Sequence, residues 1–172
     1  MPASDMLKSG TVWTETCAYM EELDLLSERI NQVVKMVDPV FYASLLQLRD
    51  TVQECSSMKA LNSIDQLLFE GRELLFNRKS GPHKDSQDPK GGYAGLYALG
   101  NFKGGKLRVN LLKGSIKIRL EPGDFILLRG RVFEHWVEDW TGGQRISMPH
   151  FTHTSLWKRF GLEHLVDVPH IG

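Results

Sequence analysis

The chain has 172 residues, 41% of them apolar and 24% charged, with a formal net charge of zero. That size and composition describe an ordinary globular protein with enough residues for a real core, and they exclude a fibrous or disordered chain. No run of about 18 apolar residues exists, so no membrane-spanning helix is expected. The polar first ten residues also lack the basic-then-apolar order of a secretory signal, so the expected location is intracellular, nuclear or cytoplasmic.

Taken in chain order, the first third reads as helical. Met20, Leu23, Leu26, Ile30, Val33, Val34 and Val37 recur at spacings of three, four and seven, which makes one apolar stripe on one helix. Asp38-Pro39 ends it, because the residue before proline avoids the helical region. Phe41, Tyr42, Leu45, Leu46, Leu48 and Val52 begin a second helix, and Ser56-Ser57 loosens the chain again. Cys17 and Cys55 fall in these helical segments and read as a reduced, buried pair, without the close spacing of a zinc or redox motif.

From Leu67 the period changes towards strand. Leu74-Leu75-Phe76-Asn77 is a short apolar run that enters a loop at Arg78-Lys79-Ser80-Gly81-Pro82. Candidate strands follow at 93–99, 106–111, 115–120, 125–128, 132–137 and 145–152, punctuated by Gly100, Gly104-Gly105, Gly114, Pro122-Gly123 and Gly142-Gly143. Six short, evenly spaced strands suggest a double-sheet jelly roll. The expected fold class is therefore α+β: a double-stranded β-helix core with N-terminal helices packed on one sheet. As a single domain spanning 1–172, it comprises a helical part at 1–66, the core at 67–155 and a cap or tail at 156–172.

Charge is uneven along the chain: residues 1–79 hold 8 Lys/Arg against 12 Asp/Glu, and residues 80–172 hold 13 against 9. The basic excess lies in Lys103, Lys106, Arg108, Lys113, Lys117, Arg119, Arg129 and Arg131. Such a stretch attracts phosphates, or is simply the solvated face of a sheet.

The chemistry concentrates in His83-Lys84-Asp85, His135 and Arg145-Ile146-Ser147. In an extended segment residues i and i+2 point the same way, so His83 and Asp85 can face one ion. His135 supplies the second imidazole from the apolar run Phe133-Glu134-His135-Trp136-Val137. Two histidines and one carboxylate fill three corners of an iron coordination sphere and leave the others open, the pattern of non-haem Fe(II) oxygenases. Arg145 and Ser147 share one face of the next strand, where a guanidinium fork and a hydroxyl can hold the far carboxylate of 2-oxoglutarate. The turn Gly142-Gly143 is expected to fold that strand back beside the one bearing His135.

Asn77-Arg78, Gly81-Pro82-His83-Lys84-Asp85, the run Leu99 to Leu107, Pro122-Gly123-Asp124, His135 and Gly143-Gln144-Arg145-Ile146-Ser147 together resemble the Fe(II)/2-oxoglutarate-dependent dioxygenases. Within that superfamily the chain is most similar to the ten-eleven-translocation/base-J-binding-protein branch of nucleic-acid base oxygenases, in its compact fungal type. The resemblance implies iron held by His83, Asp85 and His135, and 2-oxoglutarate reaching Arg145 and Ser147. With dioxygen, oxidative decarboxylation to succinate and carbon dioxide would drive hydroxylation of a C–H bond. For this branch that bond is the methyl group of a base, 5-methylcytosine or thymine, in methylated DNA or another nucleic acid. The base would be flipped into the pocket against aromatic and basic groups. Candidate substrate residues are Asn77, Arg78, Lys84, Tyr93, Trp136 and His150; Phe102, Trp140 and His153 are further candidates near the pocket. The same chemistry on a protein side chain or small metabolite, and a non-catalytic jelly-roll binding module, are the alternatives.

Overall fold

A computed structural model describes residues 8–53 and 56–167. Cys55 and His170 lie outside the described residues, as does the end of the expected C-terminal cap. The chain divides into two compact units, one ending at Leu68 and the other running from Phe69.

The first unit holds four helices: α1 (Gly10–Glu22), α2 (Asp24–Val37), α3 (Pro39–Val52) and α4 (Ser56–Ile64). The stripe read as one helix is divided at Leu23, whose backbone N–H closes α1 on Met20 O at 3.1 Å. In α2 the buried line is Ser27, Ile30, Asn31 and Val34, and Val37 is exposed. Asp38 separates α2 from α3 as the proline predicts. Its carboxylate accepts from Phe41 N–H at 2.8 Å, and Pro39 occupies the first turn, where no N–H is needed. Phe41, Leu45, Leu48 and Val52 form the buried face of α3, each of the larger side chains contributing about 1.5–3 kcal/mol by leaving water. Helix α4 occupies the stretch expected to loosen. At its end and just past it, Arg49 of α3 donates to the carbonyls of Asn62, Asp65 and Leu67 at 2.5, 2.9 and 2.8 Å, contacts that residue-by-residue periodicity does not encode. Cys17 is a free, half-buried thiol.

The second unit is the jelly-roll core. Its strands are β1 (Gly71–Arg72), β2 (Leu75–Phe76), β3 (Ala94–Gly104), β4 (Leu107–Leu111), β5 (Gly114–Ile118), β6 (Phe125–Leu128), β7 (His135–Val137) and β8 (Trp140–Phe151). One sheet has the order β1-β8-β3-β6 with β2 also on β8, and the other has the order β5-β4-β7; every pairing is antiparallel. Ala98, Phe102, Leu107, Val109 and Leu120 form the buried centre between the two sheets. Strand β5 is an edge, and Ile116 on it is exposed. After β8, α5 (Thr154–Arg159) and a short 3-10 turn (Glu163–Leu165) close the unit. There Trp157 is fully buried and donates from Nε1 to Thr152 Oγ1 at 2.9 Å.

Two glycine readings are corrected. Gly100 sits inside β3 at φ 110°, where the register against β8 shifts between Gly100 and Phe102. It marks a bulge rather than the strand's end, and a side chain there would strike the Gln144 carbonyl. Gly142-Gly143 likewise lies within β8, with Phe102 paired to Gly142. Strand β8 therefore folds back on β3, and β7 with His135 pairs with β4 in the opposite sheet.

Candidate metal centre and its cavity

His83 and His135, far apart in sequence, are joined by an antiparallel bridge. His83 N–H donates to His135 O at 3.1 Å, and His135 N–H donates to His83 O at 2.9 Å. Directly opposed residues project to one side of the pleat, and the two imidazole centroids are 4.5 Å apart. Asp85 follows His83 at i+2 on the same side, its N–H anchored to Gly130 O at 3.0 Å.

The ring orientation is fixed by the main chain. His83 Nδ1 lies 2.8 Å from Gly81 O, and His135 Nδ1 lies 3.0 Å from Phe133 O. A carbonyl only accepts, so each Nδ1 donates, and the neutral tautomer that fits this contact carries its lone pair on Nε2. Those Nε2 atoms face the one carboxylate, His83 at 3.6 Å from Oδ1 and His135 at 3.7 Å from Oδ2 of Asp85. One ligand atom from each residue lies within 4.8 Å of the others, so the three could hold a metal ion. Two imidazoles and a carboxylate, with backbone carbonyls behind both rings, form a donor set suited to ferrous iron.

Gly130 makes room for this carboxylate: a Cβ there would overlap Asp85 Oδ2. Gly130→Ala is expected to push the carboxylate away and lower metal affinity by about 10–100-fold, the usual effect of disturbing a ligand's support. Calorimetric titration with a divalent metal measures this, and an unchanged affinity would remove Gly130 from the account.

A cavity of about 570 Å³ opens on His83, Asp85 and His135, and also on Ser147 from the other sheet. Arg145 is not itself among the lining residues; it is 1% exposed and donates from Nη1 to Ser147 Oγ, which is the link between the guanidinium and the cavity. Its Nε and Nη2 are buried with no hydrogen-bond acceptor among the described residues. Phe102 and Trp140 present ring faces to the guanidinium at 5.1 and 5.6 Å, and burial lowers its pKa. Asn77, at φ 52°, pins the Arg145 backbone: its own N–H donates to Arg145 O and its Oδ1 accepts from Arg145 N–H, both at 2.8 Å. Asparagine tolerates that left-handed conformation better than most residues. A buried cation that is only half satisfied costs stability unless an anion meets it, and a carboxylate is the anion a planar fork fits best.

The remaining candidates divide. Arg78 and Trp136 line the cavity. Asn77, Lys84, Tyr93 and His150 are not among its lining residues. Lys84 is exposed to solvent, and Tyr93 Oη accepts from Arg129 Nη2 at 2.8 Å. His150 is fully buried and accepts from Arg72 Nε at 3.1 Å. His153 lines the cavity, together with Pro149 and Phe151. The period of two along β8 from Arg145 and Ser147 is the signal that separates the two histidines. Asp88 is a further lining residue that sequence reasoning missed. Burial pushes its carboxyl up to about 7, reinforced by the negative charges of Asp85 and Glu70 and opposed by Arg131. Near neutral pH such a group can donate as well as accept.

Three residues of the basic stretch are ion-paired. Arg108 lies 2.5 Å and Lys117 3.4 Å from Glu138, and Arg119 pairs with Glu121. Those three read as part of a salt-bridged solvated face.

No family model matches the chain. It is 32% identical over 72 residues to Tet-like dioxygenase 1 of Naegleria gruberi, a match covering 42% of this chain and 22% of that protein. Among solved structures it resembles NgTET1 in complex with 5mC DNA, with a TM-score of 0.62 and 22% identity over 87% of this chain and 54% of that one. The chain thus spans well under two thirds of the length of either relative. The sequence match carries the likeness to the ten-eleven-translocation/base-J-binding-protein dioxygenases, and the structural match carries the double-stranded β-helix fold.

Proposed function

We propose that the chain is an Fe(II)- and 2-oxoglutarate-dependent dioxygenase that hydroxylates the methyl group of a nucleic-acid base, 5-methylcytosine or thymine, in methylated DNA. The observation that carries this reading is Arg145, a buried guanidinium with two nitrogens unsatisfied among the described residues, bonded to Ser147 on the wall of the cavity that also holds the His83, Asp85 and His135 cluster. The likeness to a Tet-like dioxygenase and to a fold solved with 5mC DNA supports the choice of substrate class.

His83, Asp85 and His135 would hold the iron, and Arg145 with Ser147 would hold the distal carboxylate of 2-oxoglutarate. Once bound, iron, 2-oxoglutarate and dioxygen supply the oxidation, releasing succinate and carbon dioxide as a C–H bond gains a hydroxyl. The protein's part is position and environment. The Nδ1 protons of both histidines, held on carbonyls, keep the Nε2 lone pairs aimed at one point before any ion arrives. Leu96, Ile126, Leu128 and Val137 give the cavity an apolar wall that excludes water. Phe151 and Trp136 offer faces for a planar ring, and Arg78, Asp88 and His153 offer polar atoms to its edge.

Succinate formation by the iron-loaded chain is expected to rise at least about 10-fold when a 5-methylcytosine duplex is added, and not when its unmethylated counterpart or peptides are added. Equal rates with all three would overturn the nucleic-acid reading and leave the oxygenase reading standing.

A further inference from the structure

His153 ends the cavity wall at a point where the chain leaves β8. It precedes α5 with φ −102° and ψ 137°, and its own side chain makes no capping bond to that helix. Its ring tilts against Phe151, with centroids 4.9 Å apart at 38°. What holds it comes from far away in sequence. Glu70 Oε1 accepts from His153 N–H at 3.0 Å and lies 3.5 Å from Nδ1 of the same ring. One carboxyl oxygen therefore bonds the main chain of His153 and lies beside its imidazole.

Glu70 is poorly placed for stability. Its side chain is 18% exposed, its Oε2 is buried without a hydrogen-bond partner among the described residues, and Glu70 is not among the cavity's lining residues. Burial pushes its carboxyl up to about 7, against the pull of the His153 N–H. Perturbed acids concentrate where a site needs them.

We propose that Glu70 is a positioning residue for His153, and that this contact sets how the imidazole meets the polar edge of the substrate base. Through the backbone bond Glu70 fixes where β8 turns away, and through Nδ1 it fixes the ring's rotation. The nitrogen remote from Glu70, Nε2, is then the polar atom the ring offers to a ligand. The inference rests on the base-oxygenase reading above and adds a residue that does not touch substrate.

The test uses the full iron-loaded chain with 2-oxoglutarate and a methylated duplex. Glu70→Ala should raise KM for the duplex by about 10-fold, while kcat, metal affinity and 2-oxoglutarate turnover without duplex stay within about 2-fold. Glu70→Gln should recover most of the loss, because the amide oxygen still accepts from His153 N–H. Glu70→Ala added to His153→Ala should cost nothing further. If Glu70→Ala does not fold, Glu70→Asp, one methylene short of reach, should show the same KM rise. Equal losses in Glu70→Gln and Glu70→Ala, or a loss that appears without duplex, would overturn the proposal. A crystal structure of the Glu70 variant separates the two readings, since the His153 ring should turn away from Phe151 whatever the substrate. An unmoved ring overturns the positioning role, whereas wild-type turnover indifferent to any duplex overturns the base reading alone.

Discussion

Replacing Arg145 with methionine is expected to raise the thermal midpoint and to abolish 2-oxoglutarate-dependent turnover at ordinary cosubstrate concentrations. Arg145 is 1% exposed, and its guanidinium donates to Ser147 Oγ. Two of its nitrogens are buried without acceptors among the described residues. Exchanging buried charge for an apolar side chain of similar volume is often worth about 1–4 kcal/mol in stability. For a chain of this size each kcal/mol moves the midpoint by about 2–4 °C. The loss on the functional side is larger. A hydrogen bond to a charged group contributes about 1.5–3 kcal/mol, so removing a two-pronged contact with a carboxylate should raise KM for 2-oxoglutarate at least about 100-fold. Calorimetry of the metal-free protein and succinate assays across 2-oxoglutarate concentrations measure both halves. A variant that is less stable and unchanged in KM would mean that Arg145 is a core residue whose fork binds nothing.

Removing a metal ligand should act differently. His135→Ala and Asp85→Ala are expected to eliminate iron binding at micromolar concentrations, lowering affinity by more than the roughly 10–100-fold that loss of a supporting contact costs. Turnover should fall to background in both variants. Stability of the metal-free protein should change little for Asp85→Ala, because that carboxylate is partly exposed and its anchoring bond to Gly130 runs through the main chain. Wild-type protein should gain stability on adding iron, by mass action on the folded state, and neither variant should share that gain. An equal thermal shift in all three proteins would mean that the ion binds elsewhere.

Much of the site is legible in the sequence because local geometry determines it. His83 and Asp85 share a side through the two-residue period of extended backbone, and Arg145 and Ser147 do so on β8. What brings the two groups of residues together is pairing between distant segments, and periodicity does not encode partners. The bridge between His83 and His135 and the assignment of β7 to the sheet opposite β8 are set by packing across the whole roll. The glycines illustrate the same limit. Read locally, Gly100 and Gly142-Gly143 end strands; in the fold they let long strands bend and pass close to one another. Glu70 and Asp88 carry no local signature, since what distinguishes them is burial, with other acids nearby in the case of Asp88. The parity of β8, by contrast, was available in the sequence. Counting on by twos from Ser147 reaches His153 and passes over His150.

The central claim is that one cavity binds iron on three side chains and a dicarboxylate on a buried arginine. A crystal grown anaerobically with a divalent metal and an unreactive 2-oxoglutarate analogue tests it most directly. The account predicts metal bonded to His83 Nε2, His135 Nε2 and an Asp85 oxygen, with the far carboxylate of the analogue on Arg145 and Ser147. Metal bound away from those three side chains, or an analogue that leaves the Arg145 fork untouched, would contradict it.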